Sequence, residues 1–129
     1  MFLSVLLALA LTLAANAHTV TIVGKFYCEF NYRLPVFIEL MEQDPFKDDR
    51  LQWMQLMVME KFEIKGTEDE YRFITPYLRV FHKCRGVDEV VTINFGRRKG
   101  EVTIDIGDVF LGDPETKNQY LDKFVAQSE

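Results

Sequence analysis

Residues 75–84, near the middle of the chain, have the alternation of a β-strand whose two faces differ in chemistry. Pro76 opens the segment, where its missing N–H group costs a strand least. Successive side chains of a strand point to opposite sides, so the segment divides into two sets. The set predicted to face a core is Leu78, Val80, His82 and Cys84, and the set predicted to face solvent is Tyr77, Arg79, Phe81 and Lys83. One buried face and one half-solvated face are typical of a strand in a two-sheet sandwich.

Short alternating segments recur along the rest of the chain. We expect further strands at residues 19–28, 36–41, 62–66, 90–95 and 101–107. Residues 51–60 fit either a strand or a helix, and residues 120–125 fit a last edge strand or a short helix. About seven or eight short strands separated by turns predict an all-β sandwich. Trp53 and the methionines of residues 51–60 are interpreted as core filler, with an adaptable contact surface as the alternative.

Two turns are predicted to close β-hairpins. The first turn, residues 29–33, joins the first two predicted strands, and the second, residues 96–100, joins the last two. The second hairpin would have a basic tip at Arg97, Arg98 and Lys99.

Residues 1–17 are predicted to be a cleaved signal peptide. They form an apolar run that ends in Ala15-Asn16-Ala17, the small-x-small pattern that signal peptidase accepts. No basic residue precedes the run, which leaves an uncleaved anchor as the alternative, but the run is shorter than the ~20 residues that span a bilayer. The chain of 129 residues is therefore expected to mature into one extracellular domain, residues 18–129.

The two cysteines, Cys28 and Cys84, are both in phase with predicted inward faces. An even cysteine count in an oxidising compartment favours one disulfide over two free thiols or a metal pair.

The charge balance limits the partners. A formal net charge of −5 argues against nucleic acid or an anionic membrane as a bulk electrostatic partner. Residues 42–49 form an acidic segment with an Asp-Pro turn signal. Clustered carboxylates can bind calcium, but the 1-3-5-12 ligand spacing of the known calcium loop is missing. We therefore interpret the segment as a turn and predict no metal site.

Residues 66–84 contain the pattern G-T-x-x-E followed by P-Y-L-R-V-x-H-x-C. This pattern resembles the signature of the secreted nematode transthyretin-like family. A second matching region contains Val20, Gly24, Phe26, Cys28, Pro35, Val36, Ile38 and Leu40. The resemblance implies a transthyretin-like (prealbumin-like) β-sandwich, a Cys28–Cys84 pairing and an extracellular signalling or host-interaction role. The chain departs from the family at Met59-Glu60, where the family has Asp-Gly, so a tight primed turn is disfavoured there.

The chain contains few residues or motifs that are typical of enzyme active sites. Its two histidines are His18 and His82, and it has no Ser-His-Asp spacing, glycine-rich phosphate loop, HExxH or CxxC motif. The hydroxyisourate hydrolases, which are enzymatic relatives of transthyretin, end in Y-R-G-S and use several histidines, whereas residues 126–129 here are AQSE. We therefore predict no catalysis and no cofactor.

If the signal peptide is cleaved, a copper site at the new N-terminus is an alternative to the absence of a metal site. Cleavage after Ala17 would make His18 the N-terminus, where its amine and imidazole could hold copper with His82 as a third nitrogen, as in copper oxidases. His82 is nevertheless in phase with Leu78 and Val80, so we interpret it as a hydrogen-bonded core histidine.

These patterns together predict a secreted, non-enzymatic binding or signalling domain. The candidate binding residues are Tyr77, Arg79, Phe81 and Lys83, because rigid aromatics supply contact area and cations supply orientation. The expected partner is a small hydrophobic ligand, a lipid or a cell-surface protein, and no nucleic acid is expected. The alternatives are a structural matrix or cuticle component and an ordinary solvated sheet face. Phe81→Ala combined with Arg79→Glu is expected to leave folding intact and to weaken binding.

Overall fold

Two β-sheets and one short helix make up the part of the chain that the structure, a computed structural model, describes, which is residues 17–125. The elements are β1 (Ala17–Tyr27), β2 (Pro35–Glu42), β3 (Asp49–Met57), β4 (Lys61–Asp69), β5 (Pro76–His82), β6 (Glu89–Asn94), β7 (Glu101–Phe110) and α1 (Thr116–Leu121). The first sheet has the order β4-β1-β7 and the second has the order β3-β2-β5-β6. The predicted all-β sandwich is confirmed. The predicted signal peptide, residues 1–17, lies outside the described residues except for Ala17, the first residue of β1.

Strand pairing places β1 at the centre of the first sheet and β2 beside β5 at the centre of the second. β1 pairs antiparallel with β4 and parallel with β7, so Ile22 lies between Ile64 and Ile104. β2 and β5 are antiparallel, with Ile38 opposite Val80. These opposed pairs are apolar and inward-facing, which fixes the register because a slip of one residue would turn them to solvent.

The core lies between the two sheets and follows the alternation of the strands. Both sheets contribute fully buried side chains, which include Val20, Ile22, Phe26, Ile38, Leu40, Leu78 and Val80. Each of them stabilises the fold by about 1.5 to 3 kcal/mol through removal of apolar surface from water. The inward face predicted for β5 is confirmed, because His82 and Cys84 are buried as well.

A disulfide joins Cys28 to Cys84, as predicted. Cys28 follows the end of β1 and Cys84 follows the end of β5, so the bond connects the first sheet to the second. Both cysteines are buried at the edge of the core.

Both hairpin predictions are wrong. β1 and β2 lie in different sheets, and so do β6 and β7, so the turns at residues 29–33 and 96–100 carry the chain across the sandwich. In the second turn, the backbone of Arg98 forms an antiparallel bridge with Ile74, with N···O distances of 2.8 and 2.9 Å. Arg98 of the predicted basic tip is therefore held against the molecule, where its guanidinium donates to the carbonyl oxygens of Phe95 and Phe124, whereas Arg97 and Lys99 are exposed.

The segment at residues 51–60, ambiguous between strand and helix, is the strand β3 followed by a crossing turn. Met59 has a φ of 70°, a left-handed conformation at the position where the family has Asp-Gly. Its N–H donates to the carbonyl of Phe26 at 2.7 Å, which ties the turn to β1. The turn therefore replaces a hairpin and passes from the second sheet to the first.

The interpretation of Trp53 and the three methionines of residues 51–60 as core filler is largely wrong. Trp53, Met57 and Met59 are exposed, whereas Met54 packs against the core. The period-2 alternation explains the difference, because Trp53 and Met57 share the outward side of β3.

The ambiguous residues 120–125 are the end of the helix α1, which stops at Leu121, followed by turns. In α1, Thr116 donates to the carbonyl of Phe110 at 2.6 Å, and Tyr120 donates to the carbonyl of Asp108 at 3.1 Å. Tyr120 and Phe124 are buried against the core, so the helix closes one side of the sandwich. No helix within residues 17–125 is long and apolar enough to cross a membrane.

Candidate functional site

The solvent side of the second sheet, here called the outer face, brings three aromatic rings together. Cross-strand pairing places Phe37 of β2 opposite Phe81 of β5, and the Phe37 ring also neighbours Trp53 of β3. The ring centroids of Phe37 and Phe81 are 5.8 Å apart, and those of Phe37 and Trp53 are 5.6 Å apart. Tilted rings at this separation attract one another beyond simple area burial. The rings therefore form a continuous aromatic row across three strands.

A buried carboxylate holds two arginines beside this row. Glu39 is only 8% exposed and accepts hydrogen bonds from Arg79 at 2.9 Å and from Arg50 at 3.2 Å. The Arg79 guanidinium lies 5.6 Å from the centroid of Phe81, and that of Arg50 lies 6.0 Å from Trp53. Each guanidinium is therefore oriented by an ion pair and an aromatic face, which reduces the entropy that either would lose on contact with a partner.

Tyr77 is fixed at the other end of the face. Its hydroxyl donates to the carboxylate of Asp48. Burial and this hydrogen bond raise the pKa of Tyr77 to about 12. The same hydrogen bond lowers the pKa of Asp48, so the carboxylate stays charged and the phenol stays a donor.

A shallow groove of about 330 Å³ continues the aromatic row toward the end of β5. Phe37, Phe81, Gln55 and Lys83 are among the residues that line it. Lys83 forms an exposed ion pair with Asp88 at 3.5 Å, which contributes little to stability. The groove therefore has an apolar floor and an exposed positive charge at its rim.

A second group of polar side chains lies at the opposite end of the sandwich. The Glu42 side chain, at the end of β2, is 3% exposed, and its Oε1 atom has no hydrogen-bond partner within residues 17–125. Burial, and then the carboxylates of Glu70, Glu68, Asp44 and Asp49, raise the pKa of Glu42 to about 7. Negative charge is therefore concentrated around Glu42 at this end of the sandwich.

A model of the transthyretin-like family matches residues 23–105, which is more than half of the chain. The chain belongs to the transthyretin-like family. Transthyretin-like protein 16 from Caenorhabditis elegans is 34% identical over 80 residues, a match that covers 61% of this chain and 61% of that protein. A solved structure of a 9R-lipoxygenase from Cyanothece PCC8801 aligns with this chain at 16% identity and a TM-score of 0.38. The alignment covers 77% of this chain and 18% of the lipoxygenase chain.

The two histidines of this transthyretin-like domain both have structural partners. His82 is buried and its Nδ1 accepts the N–H of Cys84 at 3.0 Å, and burial lowers its pKa. The Nδ1 of His18 accepts the N–H of Gly100 at 2.7 Å, and its Nε2 lies 2.9 Å from the carbonyl of Glu70. A neutral imidazole donates from one nitrogen and accepts at the other, so both nitrogens of His18 are used. This geometry argues against the copper-site alternative.

The four candidate binding residues stand on the side that the alternation predicts. Tyr77, Arg79 and Phe81 lie on the outer face of the transthyretin-like sandwich, and Lys83 follows just beyond β5. Sequence reasoning missed their partners Phe37, Glu39 and Asp48. It also missed Arg50, which pairs with Glu39, and Trp53, which neighbours Phe37. The alternation of β2 turns Phe37 and Glu39 outward, but only the strand order reveals that they neighbour β5.

Proposed function

We propose that this protein is a non-enzymatic, extracellular binding domain that contacts its partner through the outer face. The partner would present a hydrophobic group, as a small ligand, a lipid or a cell-surface protein does. The observation that carries the proposal is the row of Phe37, Trp53 and Phe81, flanked by two arginines that Glu39 orients. Aromatic residues and arginine supply most of the energy at protein binding surfaces.

The exposure of the row supports this proposal. Trp53 is 50% exposed, and Phe81 remains partly accessible beside the groove. A tryptophan on the edge strand of a sheet face has a large area to bury and few torsions to lose. Among the described residues of this face, Arg50, Arg79 and Lys83 are each paired with a carboxylate, which agrees with an apolar partner better than with an anionic polymer.

An extracellular location is supported by the disulfide and by the family. Disulfides persist in oxidising compartments, and this one joins the two sheets. If residues 1–17 are removed as proposed, N-terminal sequencing of protein collected from the medium should begin at His18. Membrane-bound material that retains Met1 would contradict the cleaved signal.

The structure changes which variants test the outer face. Arg79→Glu was expected to leave folding intact, but it would place a second carboxylate against the buried Glu39. The sharper test is therefore Trp53→Ala combined with Phe81→Ala, which keeps the Arg50–Glu39–Arg79 network. We expect this double variant to fold and to weaken binding by on the order of 2 kcal/mol, roughly thirty-fold.

The measurement compares labelled wild-type and variant proteins on intact cells and on phosphatidylcholine vesicles. Phe110→Ala is the matched control, because Phe110 is an exposed aromatic that stacks on Tyr27 on the other sheet. Loss of binding in the double variant alone supports the outer face. Loss in the control with full binding by the double variant would move the site to the first sheet, and absence of binding by the wild type would favour a structural matrix role.

A further inference from the structure

Five carboxylates from separate segments converge at the end of the sandwich opposite the disulfide. Carboxylate oxygens of Glu42, Asp49 and Glu68 lie within 4.8 Å of one another, and so do oxygens of Glu42, Asp44 and Glu70. Glu42 belongs to both groups and therefore stands at their centre. We call these five residues the acidic end.

The central residue of the acidic end is a buried carboxyl group without a protein partner. Glu42 is more than nine-tenths buried, and its Oε1 atom accepts no hydrogen bond within residues 17–125. Buried carboxyl oxygens are almost always hydrogen-bonded, ion-paired or bound to a metal. A buried carboxyl group that leaves one oxygen unpartnered beside other carboxylates therefore lacks a ligand or counter-charge.

No lysine or arginine within residues 17–125 forms an ion pair with the acidic end. The ion pairs found in residues 17–125 use the carboxylates of Glu39, Asp88 and Glu89, and none uses a member of the acidic end. Arg72 lines the same cavity as Glu42 and Glu70 but forms no ion pair with them. The negative charge is thus uncompensated by the described part of the chain.

We propose that the acidic end binds a calcium ion, with Glu42 as the central ligand and Asp44, Asp49, Glu68 and Glu70 supplying further oxygens. This assignment goes beyond the proposed function and does not depend on it. The spacing within each group of three fits, because two oxygens on opposite sides of a calcium ion are about 4.6 to 5.2 Å apart, twice the usual calcium–oxygen distance.

The ligand chemistry selects calcium among the common metals. All five donors are carboxylates, whereas zinc and copper prefer imidazole or thiolate ligands. Magnesium demands a near-octahedral shell and holds its waters, while calcium accepts six to eight oxygens in irregular arrangements. Five carboxylates that come from two strand ends, a third strand and two loops suit the larger and more tolerant ion.

A glycine brings the two halves of the acidic end together. A Cβ atom on Gly66 of β4 would lie 2.6 Å from the Cβ of Leu51 on β3. Because Gly66 has no side chain, β4 passes close to β3, and Glu68, two residues further on, reaches Asp49. In this assignment, the ligands come from two separate segments, residues 42–49 and residues 68–70. Residues 42–49 alone therefore need not have the spacing of a single calcium loop.

The test is calcium titration of the full chain by calorimetry after removal of metal with a chelator. We expect saturable binding with a dissociation constant of about 10⁻⁴ to 10⁻³ M, the range of extracellular calcium modules. Glu42→Gln keeps the shape of the central side chain and removes its charge, and should weaken binding at least tenfold. Asp49→Asn with Glu68→Gln should do the same.

Glu63→Gln is the matched control, since it removes one exposed carboxylate from β4 outside the acidic end. It should bind calcium as the wild type does, and so should the Trp53→Ala and Phe81→Ala double variant. Three results would each overturn the assignment: no saturable heat with calcium, an unchanged affinity in Glu42→Gln, or an equal loss in Glu63→Gln, which would indicate only bulk attraction. Equal or tighter binding of magnesium would also overturn the choice of calcium.

Discussion

Loss of the Cys28–Cys84 disulfide is expected to lower the free energy of unfolding by about 2 to 5 kcal/mol. The bond closes a loop with a sequence separation of 56 residues. In the chain-entropy estimate, a loop of this length gives about 4 kcal/mol, which is a large share of the stability of a small domain. The bond also connects the two sheets, so its removal takes away a covalent cross-link between them at that end.

Two samples separate the cross-link from the packing of the sulfur atoms. Chemical reduction of the wild type breaks the bond and keeps both buried side chains, whereas Cys28→Ala with Cys84→Ala removes the sulfur atoms as well. Urea unfolding of the oxidised and reduced wild type measures the cross-link, and the double variant adds the cost of the lost packing. Equal midpoints for the oxidised and reduced proteins would show that the bond does not stabilise the fold.

The second large effect is expected at Glu42, where removal of a charge should stabilise the protein. In calcium-free buffer at about pH 8, Glu42→Gln is expected to raise the free energy of unfolding by about 1 to 3 kcal/mol. Burial and four neighbouring carboxylates raise the pKa of Glu42 from 4.5 to about 7. The folded state therefore holds a proton that the unfolded state releases, and wild-type stability falls as the pH rises from about 4.5 to about 7.

The comparison with Glu42→Gln isolates this contribution. The pKa of His82 is lowered by burial, so His82 has the opposite effect and reduces stability as the pH falls below its unfolded value of 6.5. That contribution is present in both proteins and cancels in their difference. The difference should grow between pH 4.5 and 7 and then level off. A difference that is constant with pH, or that favours the wild type, would contradict the raised pKa.

Local alternation was sufficient to predict which side chains of β5 face inward. Leu78, Val80, His82 and Cys84 are buried because period-2 geometry follows from the backbone of any strand. The disulfide was also predictable, since two cysteines in phase with inward faces have each other as partners. These features depend on residues close together in sequence or on a single pair.

The order of the strands in the sheets could not be predicted from local alternation. The turns after β1 and β6 look like hairpin turns, but hairpin formation and a crossing between sheets differ in long-range packing rather than in turn residues. The outer face and the acidic end both depend on this order. Phe37 and Trp53 reach Phe81 only because β2 and β3 lie beside β5, and Glu68 reaches Asp49 only because β4 passes β3.

The parallel pairing of β1 with β7 also determines the order in which a nascent chain can complete its sheets. The four strands of the second sheet come from residues 35–94, whereas the first sheet pairs β1 with β7, the first and last strands within residues 17–125. During synthesis, one edge of β1 therefore stays open until residue 110 has left the ribosome. An open edge on an apolar strand can pair with other chains, so the nascent chain is exposed to aggregation until β7 has emerged.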